Sequence, residues 1–267
     1  MRSIIDICGL FPHRALEYTE SFVRIYFFLC VSVSSVRNFK FFVFLYVLLF
    51  LVISPVVGQF FMERQNEIVA HYPFSVFLNA GIAFLIYIFS LKGRIFDRAI
   101  KHEKQPFFVY SSCALVSFGI LCLSSVIFES ASYFFRIGGG IQKIIFPSSF
   151  LGWINFFFGV IFAAFFEEVI YRFYLPRAFH EIFERRLQRY SSNENTINQR
   201  LSVLCEAAAL LLFGLGHIYL GIFGFMNALI CGAALRFCMI KTKSVWIPFG
   251  IHAFYNFLSF LILFLIE

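Results

Sequence analysis

Long apolar runs separated by short polar connections set the pattern of this chain. Phe41–Phe61, Phe74–Leu91 and Phe107–Phe128 are nearly uninterrupted apolar runs, each close to the ~20 residues a helix needs to cross a hydrocarbon core. The first contains Pro55, which neighbouring helices can accommodate in a membrane. A fourth run starts near Phe150 and enters Phe165–Pro176 (FFEEVIYRFYLP), where Pro176 is expected to stop the helix. Three more apolar segments, about Val203–His217, Leu220–Leu235 and Val245–Ile266, bring the predicted spans to seven. The piece Ile25–Val33 is short and follows Arg24, so it reads as interfacial or half-inserted. An eighth span starting near Phe22 is the alternative.

The connections carry little folding information of their own. Met62–Pro73 is a short loop and Lys92–Pro106 is strongly basic. Glu129–Lys143 is a linker whose Gly138-Gly139-Gly140 marks a flexible turn, since no strand precedes it and no G-K-[ST] follows. Arg177–Arg200 reads as an amphipathic surface helix followed by the loop SSNENTINQ. No internal repeat and no soluble domain is visible.

Composition agrees with the pattern. Of 267 residues 60% are hydrophobic and only 14% charged, against about 25% charged in a soluble domain. The expected fold is an all-α, polytopic transmembrane bundle. The 42 phenylalanines read as general lipid-facing material. A net charge of +7 raises nucleic acid as a partner, but the basic residues sit in loops that alternate with the spans. Segments 1–40, 92–106, 172–200 and 236–243 hold 19 of the 22 Lys and Arg. Segments 62–73 and 129–143 hold the other three. That bias predicts a cytoplasmic N-terminus and no nucleic-acid partner. The seven cysteines contain no C-x-x-C pair, and six lie in apolar surroundings, so neither a disulfide framework nor a cysteine metal site is expected.

Ionisable side chains at membrane depth are costly and imply function. Glu167, Glu168 and Arg172 end the fourth run, and FGLGH (Phe213–His217) and HAFYN (His252–Asn256) lie in later apolar segments. On a helix Glu168 and Arg172 share a face and can pair, and His252 and Asn256 repeat that i, i+4 spacing. Glu167 points roughly 100° from Glu168, so one carboxylate can face a reaction while the other supports the scaffold. A fourth helix starting at the outer surface puts Glu167 ~25 Å along a ~30 Å core, and His252 lies ~10 Å in from the inner side. Both fall in the inner half. A helix from Leu201 carries His217 ~24 Å, toward the outer side, unless Glu206 marks a later membrane entry. Singly, each motif is explained by bundle packing. Jointly they are harder to explain that way.

Several hydrolytic chemistries known within membranes are excluded by inspection. Asp6 and Asp97 lie outside the spans, and H-E-x-x-H and G-x-S-x-G are absent. A carboxylate, two imidazoles and an amide remain, a set able to activate water by general-base catalysis or through a metal ion, with the amide on an oxyanion.

E-E-x-x-x-R (Glu167, Glu168, Arg172), F-x-x-x-H (Phe213, His217) and H-x-x-x-N (His252, Asn256) resemble the motifs of the CPBP family. These are the type II CAAX prenyl endopeptidases and the bacteriocin-processing or self-immunity (ABI) proteins. The resemblance covers about Phe150–Phe260 and extends to KTKSVWIPFGIHAFYN before the last motif. It implies a catalytic core over 144–267 with four spans, behind an N-terminal segment and three spans over 1–143. It also implies a polar cavity open to the cytoplasm, and the small size suggests a bacterial inner-membrane protein. The implied activity is endopeptidase cleavage of a membrane-associated peptide or lipidated protein tail. Glu167 would be the general base, Glu168 and Arg172 would orient it, and His217 would assist. His252 and Asn256 would bind the water or stabilise the oxyanion. A divalent metal such as zinc, if used, would sit on Glu167, His217 and His252; the absence of a zinc helix motif favours no tightly bound metal. A non-catalytic binding or immunity protein of the same fold is the alternative, and a transporter is a third reading.

Overall fold

A computed structural model describes residues 36–61, 67–93, 95–96, 104–135, 143–187 and 194–266. The candidate extra span near Phe22, the interfacial piece Ile25–Val33 and Gly138-Gly139-Gly140 lie outside them. The chain falls into two units, Met1–Leu45 and Tyr46–Glu267. The described part of the first is helical, and the site belongs to the second.

In order, α1 is Val36–Tyr46 and α2 is Ser54–Phe61, with a π-helical segment Val47–Ile53 between them. Strand β1 (Glu67–Val69), α3 (Phe74–Leu91), α4 (Phe107–Phe135) and strand β2 (Lys143–Ile145) follow. Then come α5 (Phe150–Glu167), a second π segment (Glu168–Tyr174), α6 (Leu175–Leu187) and α7 (Glu194–Leu215). A 3₁₀ turn (Ile218–Leu220), α8 (Gly221–Thr242) and α9 (Trp246–Ile266) complete the chain. It is a polytopic helical bundle. Six stretches are long and apolar enough to cross a membrane: Phe39–Val57, Phe74–Leu91, Phe107–Phe135, Phe150–Glu184, Ile218–Thr242 and Trp246–Ile266.

Six of the seven expected spans meet that length and composition among the described residues. The segment expected at Val203–His217 is helical, as α7, but is too polar to qualify on composition. Its N-terminal part, Glu194–Arg200, is polar, and it carries Glu206. Three boundaries also differ. The expected linker at Glu129 is helix through Phe135, and SSNENTINQ is helical from Glu194. The loops expected around residues 67 and 143 meet as a parallel pair, Glu67 opposite Lys143 and Val69 opposite Ile145. Three-residue strands carry almost no periodicity signal of their own.

Pro176 does not stop the fourth helix. The chain widens into π turns over Glu168–Tyr174, where the N–H of Leu175 bonds the carbonyl of Ile170, and then continues as α6. A proline removes one i→i−4 bond and crowds the carbonyl four residues back. A π segment just before it relieves that crowding. Pro55 repeats the arrangement, with Ser54 N–H on the Leu49 carbonyl at the end of the first π segment.

Helix α8 packs along α4, and α9 lies against both α4 and α5. Leu121, Cys231, Leu235, Cys238 and Ile251 form the apolar contact among α4, α8 and α9. Lipid offers no hydrophobic drive between helices, so hydrogen bonds and close packing hold them. Asn227 of α8 supplies that here. It accepts from Ser124 Oγ at 2.6 Å and donates to Ser125 Oγ at 3.2 Å, and Ser125 in turn bonds the Tyr255 hydroxyl of α9. The link sets the rotation of α9, and with it the direction of His252 one turn earlier. At the other end, Ser149 caps α5 by accepting from the Gly152 N–H. The five described cysteines are free.

Candidate active site

The site is built where the wide turns of the fourth helix meet α9. Glu168 is fully buried, and Arg172 and His252 are 3% and 7% exposed. Three ionisable groups at such depth persist only if they satisfy one another. Arg172 Nη1 lies 2.8 Å from Glu168 Oε1. The same oxygen accepts from His252 Nδ1 at 2.8 Å. The i, i+4 pair expected from the sequence therefore forms, and the imidazole completes it.

The guanidinium of Arg172 also lies over the Phe213 ring, 3.9 Å from its centroid. Apart from the ion pair with Glu168, Nε, Nη1 and Nη2 of Arg172 have no hydrogen-bond acceptor among the described residues. The negative face of the aromatic ring takes that role. Phe213 thus connects α7 to the ion pair.

Glu167 occupies a different environment, with its side chain 24% exposed. Its Oε2 stands 3.7 Å from His252 Nε2. One imidazole is consequently addressed by both carboxylates, through opposite nitrogens. The carboxylate of Glu168 can only accept, so Nδ1 carries the proton and Nε2 of the neutral ring is an acceptor. Two acceptors cannot bond to each other, and at 3.7 Å apart these two can share one donor. A water molecule donating to both would sit there with its oxygen free to attack.

His217 lies just past the end of α7, at φ −112°, ψ 8°, rather than on a helical face. Its Nδ1 still reaches the Phe213 carbonyl at 3.0 Å, and its ring centroid is 4.6 Å from that of Phe213. A carbonyl only accepts, so Nδ1 is again the protonated nitrogen and Nε2 is the ring's acceptor. His217 is joined to Glu168 through Phe213 and Arg172, not by a bond of its own. Asn256 is half-buried one turn beyond His252, on the same face. Tyr171 packs edge-on against Phe213 at 5.4 Å. Tyr72, Tyr171 and Tyr219 all lie within electrostatic reach of Glu167.

Glu206 and Arg236 form a second ion pair at the same level. Arg236 Nε donates to Glu206 Oε2 at 2.7 Å, and Nη2 also engages Oε1. Arg236 Nη1 donates to the main-chain carbonyl of Arg172 at 2.7 Å. Neither residue stood out as part of a motif. Opposite charges in two separate apolar runs were the signal available, without a way to tell that they meet.

Among the described residues no three His, Cys, Asp or Glu side chains converge as ligands for a metal ion. Glu167, His217 and His252 do not make up such a set in this arrangement.

Residues 147–258 match the family model described as type II CAAX prenyl endopeptidase Rce1-like. The matched stretch contains Glu167, Glu168, Arg172, His217, His252 and Asn256. No significant match exists among curated proteins or solved structures.

Proposed function

We propose that the type II CAAX prenyl endopeptidase domain carried by this chain at residues 147–258 is a working intramembrane peptidase in which Glu167 is the general base. The supporting observation is His252, with Nδ1 on buried Glu168 and Nε2 facing Glu167. The Glu168 bond fixes the tautomer and orientation of the ring. The water takes its place between Nε2 and the Glu167 carboxylate. Glu167 accepts a proton as the water oxygen attacks the scissile carbonyl. Asn256 and the Nε2 side of His217 are the polar groups available to the developing oxyanion, His217 acting in its protonated form. Glu167 then returns the proton to the leaving amine. Glu168 and Arg172 touch no reacting atom; they hold His252.

The substrate class carried by the family's name is a prenylated carboxy-terminal tail. Membrane-associated peptides and lipidated protein tails are the compounds to try. The catalytic core occupies 144–267, residues 1–143 add the N-terminal spans, and the polar cavity opens to the cytoplasm of a bacterial inner membrane. The basic residues of 1–40, 92–106, 172–200 and 236–243 support a cytoplasmic N-terminus. That orientation requires α7 to cross, with Glu206 neutralised by Arg236.

The test compares purified wild type with Glu167→Ala and Glu167→Gln on fluorogenic prenylated and unprenylated membrane peptides, with and without chelator. Cleavage lost in both variants supports the reading, and chelator sensitivity decides whether a divalent ion assists. Cleavage that survives Glu167→Ala overturns it. A wild type that cleaves no peptide but binds one would favour a binding or immunity role.

A further inference from the structure

Helix α7 carries Phe213 and leads into His217. Its main neighbours are α6, α8 and the π segment, and α9 is not one of them. The place of His217 is therefore decided by how α7 sits on α8 and on the π segment.

Glu206, Ala209, Leu210 and Phe213 follow the i, i+3, i+4, i+7 spacing of one packed helix face. Helix α8 receives that face with Gly232 and Arg236, one turn apart. A Cβ at Gly232 would stand 2.7 Å from Leu210 Cδ1 and 3.0 Å from Phe213 Cδ1, so those two side chains fill the space the glycine leaves. The fit is reversed one turn away, where a Cβ at Gly214 would stand 2.6 Å from Leu229 Cδ2. Toward the other end, Arg236 Nε donates to Glu206 Oε2 at 2.7 Å, and Nη2 engages Oε1. Two close fits and one forked ion pair fix α7 lengthwise along α8.

Neutralising Glu206 occupies Nε and Nη2 of Arg236. Nη1 goes instead to the main-chain carbonyl of Arg172 at 2.7 Å. Arg172 is thereby held from α7 at both ends: its carbonyl through Arg236 and Glu206, its guanidinium by the Phe213 ring at 3.9 Å. Glu206 and Phe213 are about two turns apart on α7. Two attachments so spaced set both the height and the tilt of α7 against the π segment, whereas one would leave it free to pivot. His217 bonds the Phe213 carbonyl at 3.0 Å, so it moves with that end of the helix.

We propose that Glu206 and Arg236 are positioning residues for His217, fixing α7 on α8 and on Arg172 so that the imidazole keeps one place relative to Arg172 and Glu168. This rests on the peptidase reading above. Neither residue touches a reacting atom. With α7 loosened the bundle would still fold and take up a peptide, but His217 would meet the developing oxyanion in only part of the population.

Glu206→Leu combined with Arg236→Met removes both charges together, which leaves no lone ion in the bundle, and takes the donor from the Arg172 carbonyl. Arg236→Lys keeps the charge but not the fork that serves Glu206 and the carbonyl at once. Amide hydrogen exchange of the full chain, read by mass spectrometry, follows residues 213–221. Gly216 N–H on the Leu212 carbonyl and His217 N–H on the Gly214 carbonyl close the turn there. The paired variant should exchange about tenfold or more faster over 213–221, the scale of one hydrogen bond to a charged group, with α9 protected as in wild type. Its kcat should fall by about 10- to 100-fold with KM unchanged, and Arg236→Lys should move both readouts the same way by less. Faster exchange in every helix alike, or an unchanged turn, overturns the proposal. So does a loosened turn with wild-type kcat. Hydrolysis that survives Glu167→Gln overturns the general-base reading alone, because loosening and loss of kcat together report on His217 whichever group takes the proton.

Discussion

Arg236 Nη1 donates a 2.7 Å hydrogen bond to the main-chain carbonyl of Arg172, the acceptor that Pro176, four residues on, cannot serve. A buried carbonyl without a donor is costly, and Glu206 holds the guanidinium where it is needed. The proline, the π segment and a distant ion pair thus form one unit. Arg236→Met should lower stability by about 2 kcal/mol, in the range for hydrogen bonds to charged groups. Adding Glu206→Leu should recover part of the loss by removing the stranded carboxylate. Thermal unfolding in detergent would show it, and equal stability of wild type and Arg236→Met would contradict this role.

Glu168 and Glu167 should separate stability from activity. Glu168→Ala leaves Arg172 and His252 buried without their common partner, a change worth about 3–5 kcal/mol. Hydrolysis should fall with it. Simultaneous Arg172→Met should restore stability and not hydrolysis, because His252 still lacks its anchor.

Glu167→Gln should unfold at nearly the wild-type temperature, since that side chain is partly exposed and belongs to no buried ion pair. Its hydrolysis should drop by about 10²–10⁴-fold, the usual worth of a general base. A parallel loss of stability would place Glu167 in the scaffold instead.

Gly159→Ala introduces a methyl into the Tyr72 ring. Overpacking of this kind costs about 1–3 kcal/mol, which thermal unfolding in detergent would read out. Gly250→Ala is the control, because a Cβ there meets nothing within 4 Å; it should behave as wild type.

Asn227→Ala should cost about 0.6 kcal/mol and at most ~1.7, as for other interhelical hydrogen bonds in membranes. The readout is again unfolding in detergent. A loss of hydrolysis larger than the loss of stability would show that the Ser124–Asn227–Ser125–Tyr255 link steers His252 as well as holding α9.

The sequence by itself determined the membrane bundle, because apolar runs of about 20 residues leave the backbone no stable form in lipid other than helix. It also placed the chemistry on three separated stretches, since Glu167, Glu168, His217 and His252 are conspicuous in apolar surroundings. The i, i+4 pairing of Glu168 with Arg172 followed from helical spacing alone. Tertiary structure decided the rest. Which carboxylate takes which nitrogen of His252 depends on the rotation of α9, set by Asn227 and Tyr255. The passage of the chain through Pro176 depends on Arg236, 60 residues away in sequence. Tyr72 is held against α5 by Asn155 and by the absence of a side chain at Gly159. Spacing rules act within one helix, whereas these relations join groups whose separation along the chain carries no periodic signal.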